Sequence, residues 1–204
     1  MKLTILGSSA STPKINNYTT SQLLRIKNNH ILIDCGEGIQ MQLRKLKINF
    51  SKINHIFISH LHGDHYFGLI GLISTFRLLG RDSDLNIYAP EGLQELINMQ
   101  LKLSSSWLNY KVFYHTLNSK NQKIIFNNQD FAVKTIPLNH RIYTNGFLFE
   151  EKFHERNIYK SKIEEYNLKI DDIKKIKNGD DILLHDGKKL KNSIFIKSSK
   201  KTKS

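Results

Sequence analysis

Ile58-Ser59-His60-Leu61-His62-Gly63-Asp64-His65-Tyr66-Phe67-Gly68 packs three imidazoles and a carboxylate into six positions. That many titratable groups in one short loop, in that order, suits metal binding better than turn formation. In an extended loop side chains alternate, so His60 and His62 are expected to point to one side as a pair. Gly63 has no Cβ and is expected to let the chain reverse, bringing Asp64 and His65 back as a second pair. Two pairs suggest two metals. Imidazole nitrogen with carboxylate oxygen suits borderline divalent ions, Zn2+ first, with Mn2+, Fe2+ or Co2+ as alternatives.

Residues 55–58 read as a short apolar strand that delivers this loop at its carboxyl end, the usual position of sites in α/β sheets. Beyond the loop, Leu69, Ile70, Leu72, Ile73, Phe76 and Leu79 recur at helical spacing, so a core helix over 68–79 is expected to hold the ligands still. Upstream, residues 2–6 read as a buried strand. Residues 22–26 and 30–33 flank Lys27-Asn28-Asn29 as a hairpin, and a helix follows over 39–46. Asp34 ends the hairpin beside Gly36 and Gly38 and has two readings: it orients a metal-binding histidine, or it caps the helix that follows. Downstream, a strand over 85–89 is expected to stop at Pro90. A helix over 91–104 is expected to bury Leu93, Leu96, Ile97 and Leu101, and strands follow over 111–115, 123–126 and 131–136. His140, in a loop at a strand end, is structural taken alone and a further ligand in the company of the first loop. His30 reads as exposed and His55 as structural; His115, His154 and His185 have no ligand-like neighbours.

A length of 204 residues fits one domain with a sizeable core. The net charge of +13 has two readings, a polyanionic partner such as nucleic acid, or lysine drift in an A- and T-rich genome. Cys35 is the sole cysteine, so no intramolecular disulfide is expected and a reducing compartment fits. With no signal-like or membrane-spanning run, the expected location is cytoplasmic. The division expected is a core over 1–149, a charged arm over 150–193 with a small hairpin at 181–190, and a lysine-rich, disordered tail over 194–204.

With Gly7-Ser8-Ser9, Asp34-Cys35-Gly36-Glu37-Gly38 and His60-Leu61-His62-Gly63-Asp64-His65, the sequence resembles the metallo-β-lactamase superfamily. Residues 59–81, and Pro137-Leu138-Asn139-His140-Arg141 with Gly146-Phe147, resemble ribonuclease Z, the tRNA 3′-processing endonucleases. The resemblance implies an α/β (α+β) fold, the αββα sandwich, represented by its N-terminal half with an inserted arm. It implies that His60, His62 and His140 hold one zinc, that Asp64 and His65 help hold a second, and that Asp64 is the catalytic proton acceptor. It further implies precursor tRNA as substrate, a product with a free 3′ hydroxyl, and a homodimer. Two departures stand out. The family's arm is rich in glycine and proline, unlike Tyr166-Asn167-Leu168-Lys169-Ile170 here, and the family's second half, with a bridging aspartate and further histidines, has no counterpart. The expectation is a truncated or split gene product, or a piece of a longer protein, with the missing half on another chain in the split case. A non-catalytic remnant, or another hydrolase of the superfamily acting on a small ester or lactam, are the alternatives.

Overall fold

The computed structural model describes residues 1–12, 14–152, 157–184 and 187–196. They fall into two compact units, Met1–Lys152 and Phe153–Ser204. His154, His185 and residues 197–204 of the expected tail lie outside the described residues.

In the first unit, β1 (Lys2–Gly7), β2 (Ser21–Ile26) and β3 (Asn29–Ile33) pair antiparallel, and Lys27 takes the left-handed conformation that the tight β2–β3 turn demands. The sheet then continues in parallel through β4 (Ile53–Phe57), β5 (Leu85–Pro90) and β6 (Val112–Leu117). Parallel neighbours require crossovers, and three helices supply them: α1 (Ile39–Lys45), then α3 (Leu69–Leu78) beyond the short α2 (Gly63–Tyr66), then α4 (Leu93–Leu103). Their apolar stripes, Leu43, Leu72, Phe76 and Ile97 among them, pack on Leu23, Leu32, Ile56 and Ile87 of the sheet. The opposite face buries Ile31, Phe57 and Tyr88 against Phe131 and Val133. Those two residues belong to a second sheet of β7 (Ile124–Asn127), β8 (Phe131–Pro137) and β9 (Asn145–Glu151). Phe57 stacks on Tyr88 at 4.4 Å between centroids and takes Phe147 and Phe149 edge-on at 5.4 Å each. The unit is thus a helix–sheet–sheet sandwich of the α/β class. The outward side chains of the second sheet, Ile124, Ile136 and Leu148, are exposed, as are Leu3 and Ile5 on edge strand β1.

Four local expectations shift. The strand over residues 2–6, expected to be buried, lies at the sheet edge with Leu3 and Ile5 exposed. Pro90 does not lie beyond the end of β5 but is its last residue, paired with Leu117, because a terminal position tolerates a missing N–H. Leu96 is exposed, since the buried stripe of α4 runs through Leu93 and Ile97 and leaves Leu96 on its flank. His30 is half-buried, with its Nδ1 enclosed.

Arg81, only 4% exposed, joins β4 to β5 in a way that periodicity does not reveal. Its guanidinium donates to the carbonyls of Ser83 (2.7 Å), Ile53 (3.0 Å) and Asp84 (2.7 Å) and to Asn54 Oδ1 (2.7 Å). A buried cation so fully hydrogen-bonded holds its neighbours in place, and removing it strands four acceptors.

In the second unit, α5 (Lys160–Glu165), α6 (Ile170–Asn178) and the hairpin of β10 (Ile182–Leu183) with β11 (Lys189–Leu190) gather Leu168, Ile176, Ile182, Leu190 and Phe195 into a small core. Neither helix is among the sequence expectations, because apolar residues are sparse between lysines. Gly179, with φ 108°, ends α6 in the left-handed conformation. The triplet Ile194-Phe195-Ile196, read from the sequence as the start of the tail, packs here, with Phe195 fully buried.

Arg81→Ala should lower unfolding free energy by about 3 kcal/mol in urea titrations, with an unchanged denaturant slope. A second outcome concerns acid. Burial and the nearby His115 push His55 down to about 4, against 6.5 unperturbed. The unfolded chain therefore takes up a proton there before the folded one does, so stability present above pH 6.5 is lost as pH falls toward 4. His55→Phe should remove up to ~2 kcal/mol of the stability difference between pH 7 and pH 4.5, read from unfolding midpoints.

Candidate metal centre

The histidine loop leaves the carboxyl end of β4, where Ile58 still donates to the Tyr88 carbonyl at 2.8 Å. The backbone stays extended as far as His62 (φ −80°, ψ 142°), then enters the helical turn of α2. Gly63 therefore does not reverse the chain through glycine-only geometry. Its lack of a side chain matters for another reason: a Cβ there would lie 2.1 Å from the Phe67 ring.

Three nitrogens converge. His60 Nε2 lies 3.0 Å from His62 Nδ1, and His140 Nε2 lies 3.3 Å from that same atom. Tetrahedral zinc with Zn–N bonds of ~2.0–2.1 Å sets its ligand nitrogens ~3.3–3.4 Å apart, close to both spacings. Among the described residues, these three histidines form the one group of three or more candidate ligands whose atoms lie within 4.8 Å of one another. His140 reaches the group because Asn145, at the start of β9, donates to the Ser59 carbonyl at 3.0 Å and fastens the two loops together.

Asp34 does not cap α1, whose N-cap is Gly38 with no side-chain hydrogen bond. Its carboxylate instead accepts from the Ser59 amide (2.8 Å), the Ser59 hydroxyl (3.0 Å) and His65 Nδ1 (2.8 Å). Asp34 sits at φ 56°, a left-handed conformation that costs a non-glycine residue of order 1 kcal/mol or more and that these hydrogen bonds offset. With the Ser59 hydroxyl donating to Asp34, its oxygen accepts from His60 Nδ1 at 3.0 Å. Both imidazoles are thereby committed to the tautomer with a bare Nε2, the form that binds metal. Ser59 was not singled out from the sequence. A hydroxyl immediately before a histidine pair, just past the end of a strand, was the available signal.

Asp64 and His65 form a looser pair, with Asp64 Oδ2 3.6 Å from His65 Nε2. Asp64 Oδ2 also accepts from the Ser11 amide at 2.9 Å, which brings the small-residue turn after β1 against the site. A cavity of about 670 Å³ opens over His60, His62, Asp64, His65, His140 and Arg141. Burial, with the neighbouring His65 and His62, lowers His60 to about 4, so it is neutral and able to ligate at pH 7. Burial opposes ionisation of Asp64, but the Ser11 hydrogen bond and His65 outweigh it and the pKa is lowered. For His65, burial is likewise outweighed by the hydrogen bond and charge of Asp34, and the pKa is raised. The arrangement can hold one divalent ion on three imidazoles beside a carboxylate–imidazole pair that prefers a positive neighbour.

Residues 1–194 match the family model described as Anti-Pycsar protein Apyc1. A curated ribonuclease Z from Bacteroides thetaiotaomicron is 46% identical over 198 residues, covering 97% of this chain and 63% of its own length. The chain therefore spans less than two thirds of that relative. Among solved structures, the short form of human tRNase Z (ELAC1) superposes with a TM-score of 0.69 and 34% identity, over 76% of this chain and 66% of that one. The metallo-β-lactamase fold protein YhfI of Bacillus subtilis shares the fold, with a TM-score of 0.57 at 17% identity over 80% of this chain and 66% of its own.

Ser59→Ala and Asp34→Asn should each weaken zinc binding about 10- to 100-fold in competition with a chromophoric chelator, with circular dichroism unchanged.

Proposed function

We propose that this chain, which belongs to the family described as Anti-Pycsar protein Apyc1, carries the centre of a zinc-dependent phosphodiesterase of the ribonuclease Z kind. Its substrate is precursor tRNA, from which the 3′ trailer is removed to leave a 3′ hydroxyl. The observation that carries this reading is the convergence of His60, His62 and His140 at zinc-ligand spacing. The family model's description names no reaction; the curated relative's name and the solved tRNase Z favour this one.

His60, His62 and His140 would hold one ion, and Asp64 and His65 would hold the second. When bound, such a pair supplies a water acidic enough to ionise near neutral pH and neutralises charge on the phosphodiester. Asp64, ionised at neutral pH, faces the same cavity and accepts the proton of the attacking water. Asp34 and Ser59 keep the imidazoles aimed. Arg141 stands at the cavity edge, where its guanidinium would engage a phosphate oxygen. The lysine-rich surface, with its net +13, provides affinity for the polynucleotide backbone. We assign residues 1–149 to the catalytic core, 150–193 to a tRNA-contacting arm and 194–204 to the tail, and place the enzyme as a cytoplasmic homodimer. No helix among the described residues is long and apolar enough to cross a membrane.

Two observations favour a second reading. Asp64 and His65 have no third candidate ligand at metal-site spacing among the described residues, and apolar side chains stand exposed on both sheets. In that reading the second ion and the open faces are completed by protein outside these 204 residues, on a partner chain.

The chain should bind one equivalent of zinc tightly and lose it on His140→Ala, by metal analysis after dialysis. If the site is sufficient, precursor tRNA is cut at the trailer, and Asp64→Ala lowers the rate at least about 100-fold. Zinc retention without cleavage supports the partner-chain reading; failure to retain zinc contradicts both.

A further inference from the structure

A second cavity of about 670 Å³ adjoins the first, and His62 and Arg141 line both. Beyond that shared wall its lining changes character. Leu61, Pro90, Leu117 and Ile142 are aliphatic, and Tyr143 contributes an aromatic ring whose hydroxyl is tied to the Ser119 carbonyl at 3.1 Å. The ring is therefore held in one orientation, as a stacking platform requires. Asn118 and Glu91, both exposed, add an amide and a carboxylate.

We propose that this second cavity is a nucleobase subsite: it takes the base of the nucleotide whose phosphate lies at the histidine cluster, with Tyr143 as the stacking surface. The proposal rests on the reading of that cluster as a phosphodiester-handling centre. Arg141 stands on the boundary, its Nη2 3.4 Å from His62 Nε2, where it can engage a phosphate while the attached nucleoside passes into the neighbouring space. Another phosphate is a poor occupant, because Glu91 would repel it. A flat ring with an apolar face and polar edges matches aliphatic walls, a fixed aromatic ring and the donor and acceptors of Asn118 and Glu91. The cavity's size is in the range of small-molecule sites, ~300–1,000 Å³.

The test compares binding of the four nucleoside 5′-monophosphates with that of ribose 5-phosphate to the full chain in zinc-containing buffer, by isothermal titration calorimetry. At least one nucleotide should bind about tenfold more tightly than the sugar phosphate. Tyr143→Ala should erase that difference while leaving ribose 5-phosphate affinity unchanged. Because Tyr143 is half-buried, Ile142→Trp, which fills the cavity with an uncharged side chain, should give the same result independently. Arg141→Ala should weaken nucleotide and sugar phosphate alike. Equal affinity for nucleotides and ribose 5-phosphate overturns the base subsite while leaving the phosphate site standing. Binding of neither overturns both.

Discussion

Imidazole nitrogens brought within about 3 Å of one another repel unless a proton or a cation lies between them. In this protein His60 and His140 each bring Nε2 within 3.3 Å of His62 Nδ1, and the Ser59 hydroxyl fixes the His60 ring from behind. The anchor is Asp34. Its backbone amide donates to the Phe57 carbonyl at 2.8 Å, its carboxylate fixes Ser59 and His65, and the Cys35 amide donates to the His65 carbonyl at 2.7 Å. The ends of β3 and β4 are laced together by main-chain and side-chain bonds at once. The result is a preorganised ligand set, which avoids an ordering cost when an ion arrives.

The architecture explains why the anchor is available. Parallel β3, β4 and β5 direct their carboxyl ends to one edge of the sheet, so a buried aspartate on one strand stands beside the loop leaving the next. Gly36 permits the close approach, since a Cβ there would meet the Asp64 carbonyl oxygen at 2.5 Å. The second sheet then delivers His140 from the far side, its position set by the bond between Asn145 and Ser59. Two loops distant in sequence are brought together over a sheet edge, while Arg81 stiffens the start of β4 from within the core.

Much of this was legible in the residues because it rests on local pattern. The hairpin about Lys27, the amphipathic α3 and the strand before the histidine loop follow from periodicities of two and 3.6 that one short window contains. The candidate ligands stand out because His60, His62, Asp64 and His65 crowd together. What stayed hidden is long-range or weakly patterned. Ser59 acts through Asp34, 25 residues away in sequence, and Arg81 through carbonyls that carry no sequence signature. The helices α5 and α6 bury few apolar side chains each, so their stripe is drowned by lysines until the small core around Phe195 forms. At Gly63 the expectation of a backbone reversal confused two uses of glycine, conformational freedom and clearance for a neighbouring ring.

Zinc-edge X-ray absorption of the chain carrying one equivalent of zinc tests the central claim most directly, because it counts coordinated imidazoles and measures their distances. The account predicts three imidazole nitrogens at ~2.0–2.1 Å with an oxygen completing the shell. A spectrum with fewer than three imidazoles, or one left unchanged by His140→Ala, would contradict it.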